Sequence, residues 1–297
     1  MDKLHFDNEN YPKGEKMSKE NELKAAVLES VDRVKALGYT VLYAANYGSH
    51  NYNLDINNEE YKSDIDTKVI ILPTLKELVN NSKPVSTIIE ISTGQCDIKD
   101  IRAFVQNITK GHIQFLELLC AQSSWINIEY ADDFMWFINN IDNLINDCRP
   151  QLLKSIYGMS LEKQKALCHP YPTIKWKIDK WGYDGKQLHH IIRLKDFINS
   201  YFFENKDFKE AIWYNEEDIN KDLLISIKEN KISLEDAIAF ARIYCDVIKE
   251  KVDKLLLNDC KEIGYKDKYL KHTNQIIINN IKKQILEEAN EGNRNCW

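Results

Sequence analysis

The chain has 297 residues, a net charge of −6 and 43% hydrophobic residues, which is enough apolar material for two compact units. It contains no apolar run of transmembrane length and no signal peptide, so no membrane association is expected. The acidic balance argues against binding of duplex DNA. The seven cysteines are odd in number and include no Cys-x-x-Cys pair, which predicts reduced thiols in a cytoplasmic protein without disulfides or a zinc ribbon.

The first part of the chain predicts a flexible segment, one helix and several strands. Residues 1–19 are polar and charged, which is typical of a flexible N-terminal segment. Apolar residues recur near every 3.6 positions from Glu20 to Leu37, and Gly38 is the expected stop of that helix. The predicted strands span residues 40–47, 67–72, 86–92 and 95–99.

From Asp100 onward the pattern predicts almost only helix, with Asp100 and Ser233 as N-caps and Gly111 as a helix stop. The predicted helices span residues 100–110, 112–121, 131–146, 150–167, 185–203, 206–212, 217–229, 233–257 and 273–289. The expected fold class is therefore α+β. A small mixed sheet with flanking helices would occupy residues 20–125, and an α-helical domain residues 126–297.

Two short polar motifs lie at the ends of the first two predicted strands. Gly48-Ser49 follows the first strand, and Ser63-Asp64-Ile65-Asp66 precedes the second. Residues i and i+2 of a strand project from the same face, so the carboxylates of Asp64 and Asp66 should point the same way. Two adjacent carboxylates repel each other unless a cation lies between them, and oxygen ligands favour Mg²⁺. A glycine turn with exposed N–H groups suits phosphate oxygens.

These motifs carry a resemblance to a known family. The segment GSHNYNLDINNEEYKSDIDTKVI resembles the Gly-Ser…Asp-x-Asp signature of the DNA polymerase β-like nucleotidyltransferase superfamily. Within the superfamily, it more closely resembles a bacterial and phage branch of predicted nucleotidyltransferases. The residues of this chain that match the pattern of that branch are Gly48, Ser49, Tyr52, Leu54, Ser63, Asp64 and Asp66. Asn53 stands where that branch usually has glycine, and asparagine tolerates the left-handed conformation that this position would need.

The superfamily implies a third carboxylate on a neighbouring strand, and the chain offers Glu90 and Asp97. We prefer Asp97, because DIKDIRAFVQNITKGHIQFLELL resembles the branch's segment in which an aspartate on a strand leads into a helix. His112 and Ile113 replace the branch's Asn-Pro at the following turn. Glu117 is interpreted either as a buried polar anchor near the site or as a partly exposed residue.

A second motif, WGYDGKQLHHIIRL, resembles the branch's Gly-Tyr-Asp-x-Lys…His-x-x-Arg-Leu pattern. Lys186, His190 and Arg193 are spaced i, i+4 and i+7, which places a cationic stripe on one helix face. Lysine binds phosphate oxygens as a point charge, and arginine binds them through two parallel hydrogen bonds. His189 is expected to be structural or exposed.

The resemblance implies a metal-dependent nucleotidyltransferase. A nucleoside triphosphate such as ATP would lie between Gly48, Ser49 and Ser63 and the cationic stripe. Two Mg²⁺ or Mn²⁺ ions would be held by Asp64, Asp66 and Asp97, with Asp97 as a possible base. A nucleoside monophosphate would pass to a hydroxyl of an RNA end, a protein or a small molecule.

Two alternatives stay open from the sequence. One is a toxin-like or phage-defence nucleotidyltransferase that modifies tRNA or a host protein. The other is a nucleotide-binding module without catalysis. The residues do not specify the nucleotide, the acceptor or the oligomeric state, since fold-level similarity does not settle function.

Overall fold

A computed structural model of the chain describes residues 18–58, 61–257 and 265–294, and no side chain is described for residues 265 and 291–294. The strands are β1 (Thr40–Tyr47), β2 (Asp66–Leu72), β3 (Ser86–Ile91), β4 (Gly94–Asp100) and β5 (Ser124–Ile126). The helices are α1 (Lys19–Ala36), α2 (Leu75–Val79), α3 (Ile101–Thr109), α4 (Ile113–Leu116), α5 (Ala131–Asn139), α6 (Ile141–Asp147), α7 (Arg149–Ala166), α8 (Lys175–Trp181), α9 (Gly185–Phe197), α10 (Phe208–Ile212), α11 (Ile219–Lys228), α12 (Leu234–Leu256) and α13 (Tyr265–Arg294).

The five described strands form one mixed sheet in the order β3-β4-β2-β1-β5. Strands β2 and β4 are parallel, and the other neighbouring strands are antiparallel. Helices cover the sheet and make up most of the remaining chain, so the predicted α+β class is confirmed. Within the described residues, none of the helices combines the length and the apolar character that a membrane span requires.

The two faces of the sheet bury different partners. Helix α1 packs against one face, where Val27 and Val31 meet Val69 and Ile98. The opposite face continues into the helices that follow the sheet. There the ring of Tyr43 on β1 stacks on Phe134 of α5, with ring centroids 4.2 Å apart. One apolar core therefore contains residues on both sides of position 125, because strand and helix side chains interdigitate directly.

The predicted helix boundaries agree with the capping seen in the structure. The Asp100 carboxylate accepts a hydrogen bond from the Arg102 backbone N–H at 2.7 Å and begins α3. Gly111 follows that helix with φ +67°. Ser233 accepts from the Asp236 N–H and begins α12. Asparagine at position 53 adopts φ +61°, the left-handed conformation that the sequence predicts.

Several elements differ from the prediction, among them helix α2, which lies in a stretch where no element was predicted. Strand β5 lies where a boundary between two domains was expected, and it pairs with β1. The predicted helix over residues 131–146 is two helices, since the chain turns at Asn140 between α5 and α6. Helix α8 occupies a stretch without a predicted element. The predicted flexible segment 1–19 lies outside the described residues except for its last two positions, which cap and begin α1.

Candidate active site

The glycine turn and the acidic motif meet at one end of the sheet. Tyr47, the last residue of β1, is paired with Asp66, the first residue of β2. Gly48 follows with φ +83°, a conformation that favours glycine, and leads into the 3₁₀ turn Ser49–Tyr52. The register of the β1–β2 pair therefore brings Gly48-Ser49 next to the Asp-x-Asp motif.

The two carboxylates of the acidic motif lie at the mouth of β2. Asp64 is exposed, whereas Asp66 is half-buried and its Oδ1 accepts a hydrogen bond from the Gln95 backbone N–H at 3.0 Å. Burial, and then the negative charges of Asp64 and Asp66, raise the pKa of Tyr61. Both carboxylates therefore lie near the Tyr61 side chain, and their joint role as cation ligands stays a prediction.

The strand register distinguishes the two candidates for the third carboxylate. Glu90 on β3 lies opposite Gln95 of β4, and β4 separates it from β2. Asp97 lies on β4 itself, directly beside β2, and is paired with Lys68. Burial, followed by the charges of Asp66 and Asp97, raises the pKa of Tyr47. Asp97 is therefore the nearer partner of Asp66, in agreement with the preferred interpretation.

Two lysines hold the Asp97 carboxylate. Lys68 makes a buried ion pair with its Oδ2, and the Lys99 Nζ lies 2.9 Å from its Oδ1. In the described parts of the chain, no group of three or more His, Cys, Asp or Glu side chains gathers as a metal site. Asp64 and Asp66 fit one hard cation, which needs only one or two carboxylates beside substrate phosphates. Asp97 does not fit as a metal ligand in this arrangement, because lysines neutralise its charge.

Ser63 is held between the sheet and the helical part of the chain. Its Oγ accepts a hydrogen bond from the Ile56 backbone N–H at 2.9 Å, and the Lys228 Nζ lies 3.4 Å from the same oxygen. The Lys228 ammonium also donates to the Leu54 carbonyl at 3.1 Å. A ring nitrogen of His50 lies 3.3 Å from the Ser63 carbonyl. Ser63 therefore contacts both the loop that follows β1 and Lys228 at the end of α11.

Three positively charged side chains act on Lys228. Burial, and next the neighbouring charge of Lys186, lower the pKa of Lys228 to about 8, and Arg193 and Lys177 act in the same direction. Asp55 opposes them, but its carboxylate is paired with Lys19, 2.6 Å away. A partly buried ammonium beside like charges is unfavourable, and an anionic ligand would relieve that repulsion. We call Lys177, Lys186 and Lys228 the lysine cluster.

Arg193 has a different contact from the predicted one. Its guanidinium lies 2.8 Å from the Glu117 carboxylate and 3.2 Å from the centre of the Tyr52 ring. Its side chain is only 10% exposed. Glu117 is buried as well and also accepts a hydrogen bond from the Tyr52 hydroxyl. The interpretation of Glu117 as a buried anchor is thus correct, and the guanidinium of Arg193 is committed to it rather than to open solvent.

The two histidines of α9 do not extend a cationic stripe. Burial lowers the pKa of His190 well below 6.5, and the charges of neighbouring basic groups add to this effect. The lowered pKa disfavours a charged His190, and its predicted role in phosphate binding stays a prediction. His189 is buried, with Nδ1 3.3 Å from the Leu224 carbonyl, so its role is structural. Of the predicted stripe, Lys186 keeps its exposed ammonium.

Lys228 is the site residue that sequence reasoning missed. It lies 165 positions after Ser63 in the chain and is not part of either sequence motif. Only the packing of α11 against the turn after β1 brings it to the site.

Comparisons with known proteins identify no family. No protein-family model matches the sequence, and no curated protein matches it. Among solved structures, a nucleotidyltransferase-like protein from Exiguobacterium sibiricum 255-15 is similar over 90% of this chain and 91% of that chain. The sequence identity is 8% and the TM-score is 0.30, so this likeness carries no argument about the present chain.

Proposed function

We propose that the protein is a metal-dependent nucleotidyltransferase that transfers a nucleoside monophosphate from a nucleoside triphosphate to a hydroxyl acceptor. One observation carries the proposal. The Gly48-Ser49 turn and the Asp64/Asp66 pair lie at the same end of the sheet, and Lys228 contacts Ser63, the residue before Asp64. Paired carboxylates beside lysine ammonium groups suit a triphosphate with a divalent cation.

The phosphates would lie between the Gly48-Ser49 turn and Ser63 on one side and Lys186 and Lys228 on the other. Backbone N–H groups at the turn suit phosphate oxygens, and the lysines supply ionic contacts. Asp64 and Asp66 would hold Mg²⁺ or Mn²⁺. When bound, the cation neutralises phosphate charge and lowers the pKa of the acceptor hydroxyl.

The chemical step is an in-line displacement at the α-phosphorus. The acceptor oxygen forms the new bond to phosphorus, and the bond from phosphorus to the bridging oxygen of the β-phosphate breaks. Pyrophosphate leaves with the electron pair, and the proton of the acceptor hydroxyl passes to Asp97. Lys68 and Lys99 position the Asp97 carboxylate on the same sheet face as Asp66. Such positioning supplies much of the rate enhancement in phosphoryl transfer.

The test is a label-transfer assay. Purified protein is incubated with each nucleoside triphosphate, radiolabelled in the α-phosphate, together with Mg²⁺ or Mn²⁺ and total RNA or cell lysate. We expect label on a discrete RNA, protein or small-molecule species, and we expect Asp64→Ala with Asp66→Ala to abolish it. The matched control is Asp246→Ala, which removes an exposed carboxylate from α12. Equal labelling by wild type and the double variant would contradict the proposal.

A second candidate is a nucleotide-binding module without catalysis. The ion pairs of Asp97 with Lys68 and Lys99 favour it, because they neutralise the carboxylate that would receive the proton. Isothermal titration calorimetry with ATP and Mg²⁺ separates the two functions. Binding that Lys228→Met weakens, without label transfer under any condition, would establish the module.

A further inference from the structure

Helix α8 and the loop before it form an unusually exposed segment. Residues 168–181 contain no buried side chain. Trp176 is 57% exposed and Tyr171 is 48% exposed, although aromatic residues normally bury most of their surface. The rings of Trp176 and Trp181 are 5.5 Å apart. Trp181 packs partly against the core, but packing of the core does not explain Trp176 and Tyr171. We call residues 168–181 the aromatic segment.

Lysines alternate with the aromatic rings. Helix α8 carries Lys175, Lys177 and Lys180, of which Lys175 lies 2.9 Å from the Asp179 carboxylate, while the whole chain has a net charge of −6. The Lys180 Nζ lies 4.3 Å from the centre of the Trp181 ring. Exposed aromatic faces beside ammonium groups form the usual platform for unpaired nucleic acid, in which bases stack and lysines contact phosphates.

The aromatic segment shares Lys177 with the lysine cluster. The Lys177 Nζ lies 3.0 Å from Oδ1 of Asp184, whose carboxylate caps α9 by accepting from the Lys186 N–H. The charge of Lys177 also acts on Lys228. A strand that stacks on Trp176 would thus place its backbone phosphates within reach of the region proposed for the triphosphate.

We propose that the aromatic segment binds the end of a single-stranded nucleic acid and presents its terminal hydroxyl as the acceptor. The acceptor role rests on the proposed nucleotidyl transfer, whereas the binding surface does not. An unpaired strand fits because its bases have free faces for Trp176 and Tyr171. A duplex would offer only phosphates to a protein of net negative charge. RNA and DNA share this chemistry, and the experiment separates them.

The test is fluorescence anisotropy with a labelled single-stranded RNA oligonucleotide, the DNA of the same sequence and the RNA duplex. We expect the single strands to bind more tightly than the duplex, and Trp176→Ala to weaken binding about 5- to 150-fold, the loss of one stacked base. The matched control is Phe203→Ala, which removes an exposed ring with the Lys251 Nζ 4.5 Å from its centre in another part of the fold.

A second variant tests the phosphate-binding role of the lysines. Lys175→Ala with Lys180→Ala should reduce the dependence of binding on salt, by about 0.7 in the logarithmic slope for each phosphate that the variant no longer neutralises. Trp176→Ala should leave that slope unchanged. Circular dichroism melting checks that every variant is folded.

Several outcomes would overturn the inference. One is that single strands show no saturable binding below about 0.1 mM protein. Another is that the duplex binds more tightly than the single strands. A third is that Trp176→Ala and Phe203→Ala change the binding affinity equally. Conversion of a wild-type dimer into a monomer by Trp176→Ala, measured by sedimentation, would assign the segment to self-association instead. ATP binding is measured in parallel. Retained ATP binding without strand binding refutes this inference alone, and strand binding without ATP binding or label transfer refutes only the proposed function and the acceptor role.

Discussion

The Arg193 guanidinium and the Glu117 carboxylate form a buried ion pair at 2.8 Å between α9 and the turn that precedes β5. The ring of Tyr52 lies beneath the guanidinium, and its hydroxyl donates to the same carboxylate. Tyr52 closes the 3₁₀ turn that follows Gly48-Ser49. The pair therefore connects the helical part of the chain to the turn proposed to bind phosphate, through contacts that are shielded from water.

Arg193→Ala should destabilise the protein strongly. Loss of one partner leaves Glu117 buried without its counter-charge, and such a change costs about 3–5 kcal/mol of the free energy of unfolding. Urea denaturation monitored by tryptophan fluorescence measures it. The matched control is Arg33→Ala, which removes an arginine that is 52% exposed and paired with Glu29. Its cost should be at most about 1 kcal/mol. Equal midpoints for both variants would show that the buried pair does not hold the two parts together.

Lys228→Met should weaken binding of ATP and Mg²⁺ without unfolding the protein. Loss of one charge-assisted interaction with phosphate costs about 1.5–3 kcal/mol, or about 10- to 150-fold in the dissociation constant. Isothermal titration calorimetry gives that constant. Lys231→Ala is the matched control, because its ammonium lies on the surface, 2.6 Å from Glu229. An unchanged affinity in Lys228→Met would remove this residue from the site.

The stability of the protein should depend on pH through Lys228. Burial and the charge of Lys186 lower its pKa to about 8 in the folded chain, whereas an ordinary lysine titrates near 10.5. Between these values the unfolded chain binds more protons than the folded chain, so the contribution of Lys228 to the free energy of unfolding rises with pH. Below both pKa values the contribution of Lys228 to the free energy of unfolding is constant and unfavourable.

Urea denaturation of wild type and Lys228→Met at about pH 7 and about pH 10 measures this contribution. The stability advantage of Lys228→Met at the lower pH should shrink at the higher one. Because other groups titrate equally in both proteins, the difference between them isolates Lys228. A difference that stays the same at both pH values would contradict the lowered pKa.

Gly185→Ala should separate α9 from α11. A β-carbon at this position would lie 1.9 Å from the Ile227 carbonyl oxygen, so the helices must move apart. Overpacking of this kind costs about 1–3 kcal/mol, and it should also weaken ATP binding because Lys186 and Lys228 follow these two residues directly. Gly158→Ala is the control. It adds a methyl group in α7 with no atom within 4 Å and should stabilise by about 0.5–1 kcal/mol.

The acidic motif can be recognised from the sequence because its residues are neighbours in the chain, and its role in binding a cation stays a prediction. Asp66 begins β2 and Asp64 lies two residues before it, so the local sequence keeps the two residues close to each other. The preference for Asp97 over Glu90 agrees with the register, since Asp97 lies on the strand beside β2. The α+β class follows equally from periodicity, which separates strands from helices.

The cationic half was predicted less well, because burial decides it. Helical spacing puts Arg193 and His190 on one face, but it does not reveal that Glu117 neutralises the arginine or that the surroundings of the histidine lower its pKa. Lys228 reaches Ser63 only after α11 has packed. Strand β5 was missed because three residues are too short to display an alternating pattern.

The stacking of Tyr43 on Phe134 limits how the protein can be divided. The Tyr43 hydroxyl also donates a hydrogen bond to the Leu118 carbonyl at 2.9 Å. Tyr43 therefore contacts residues that lie before and after position 125 in the chain. A fragment that ended at position 125 would uncover the ring and the apolar face around it, and we expect such a truncation to aggregate. The sheet and the helices are therefore not exchangeable modules, and a new acceptor specificity would have to arise at the surface rather than by swapping the helical half.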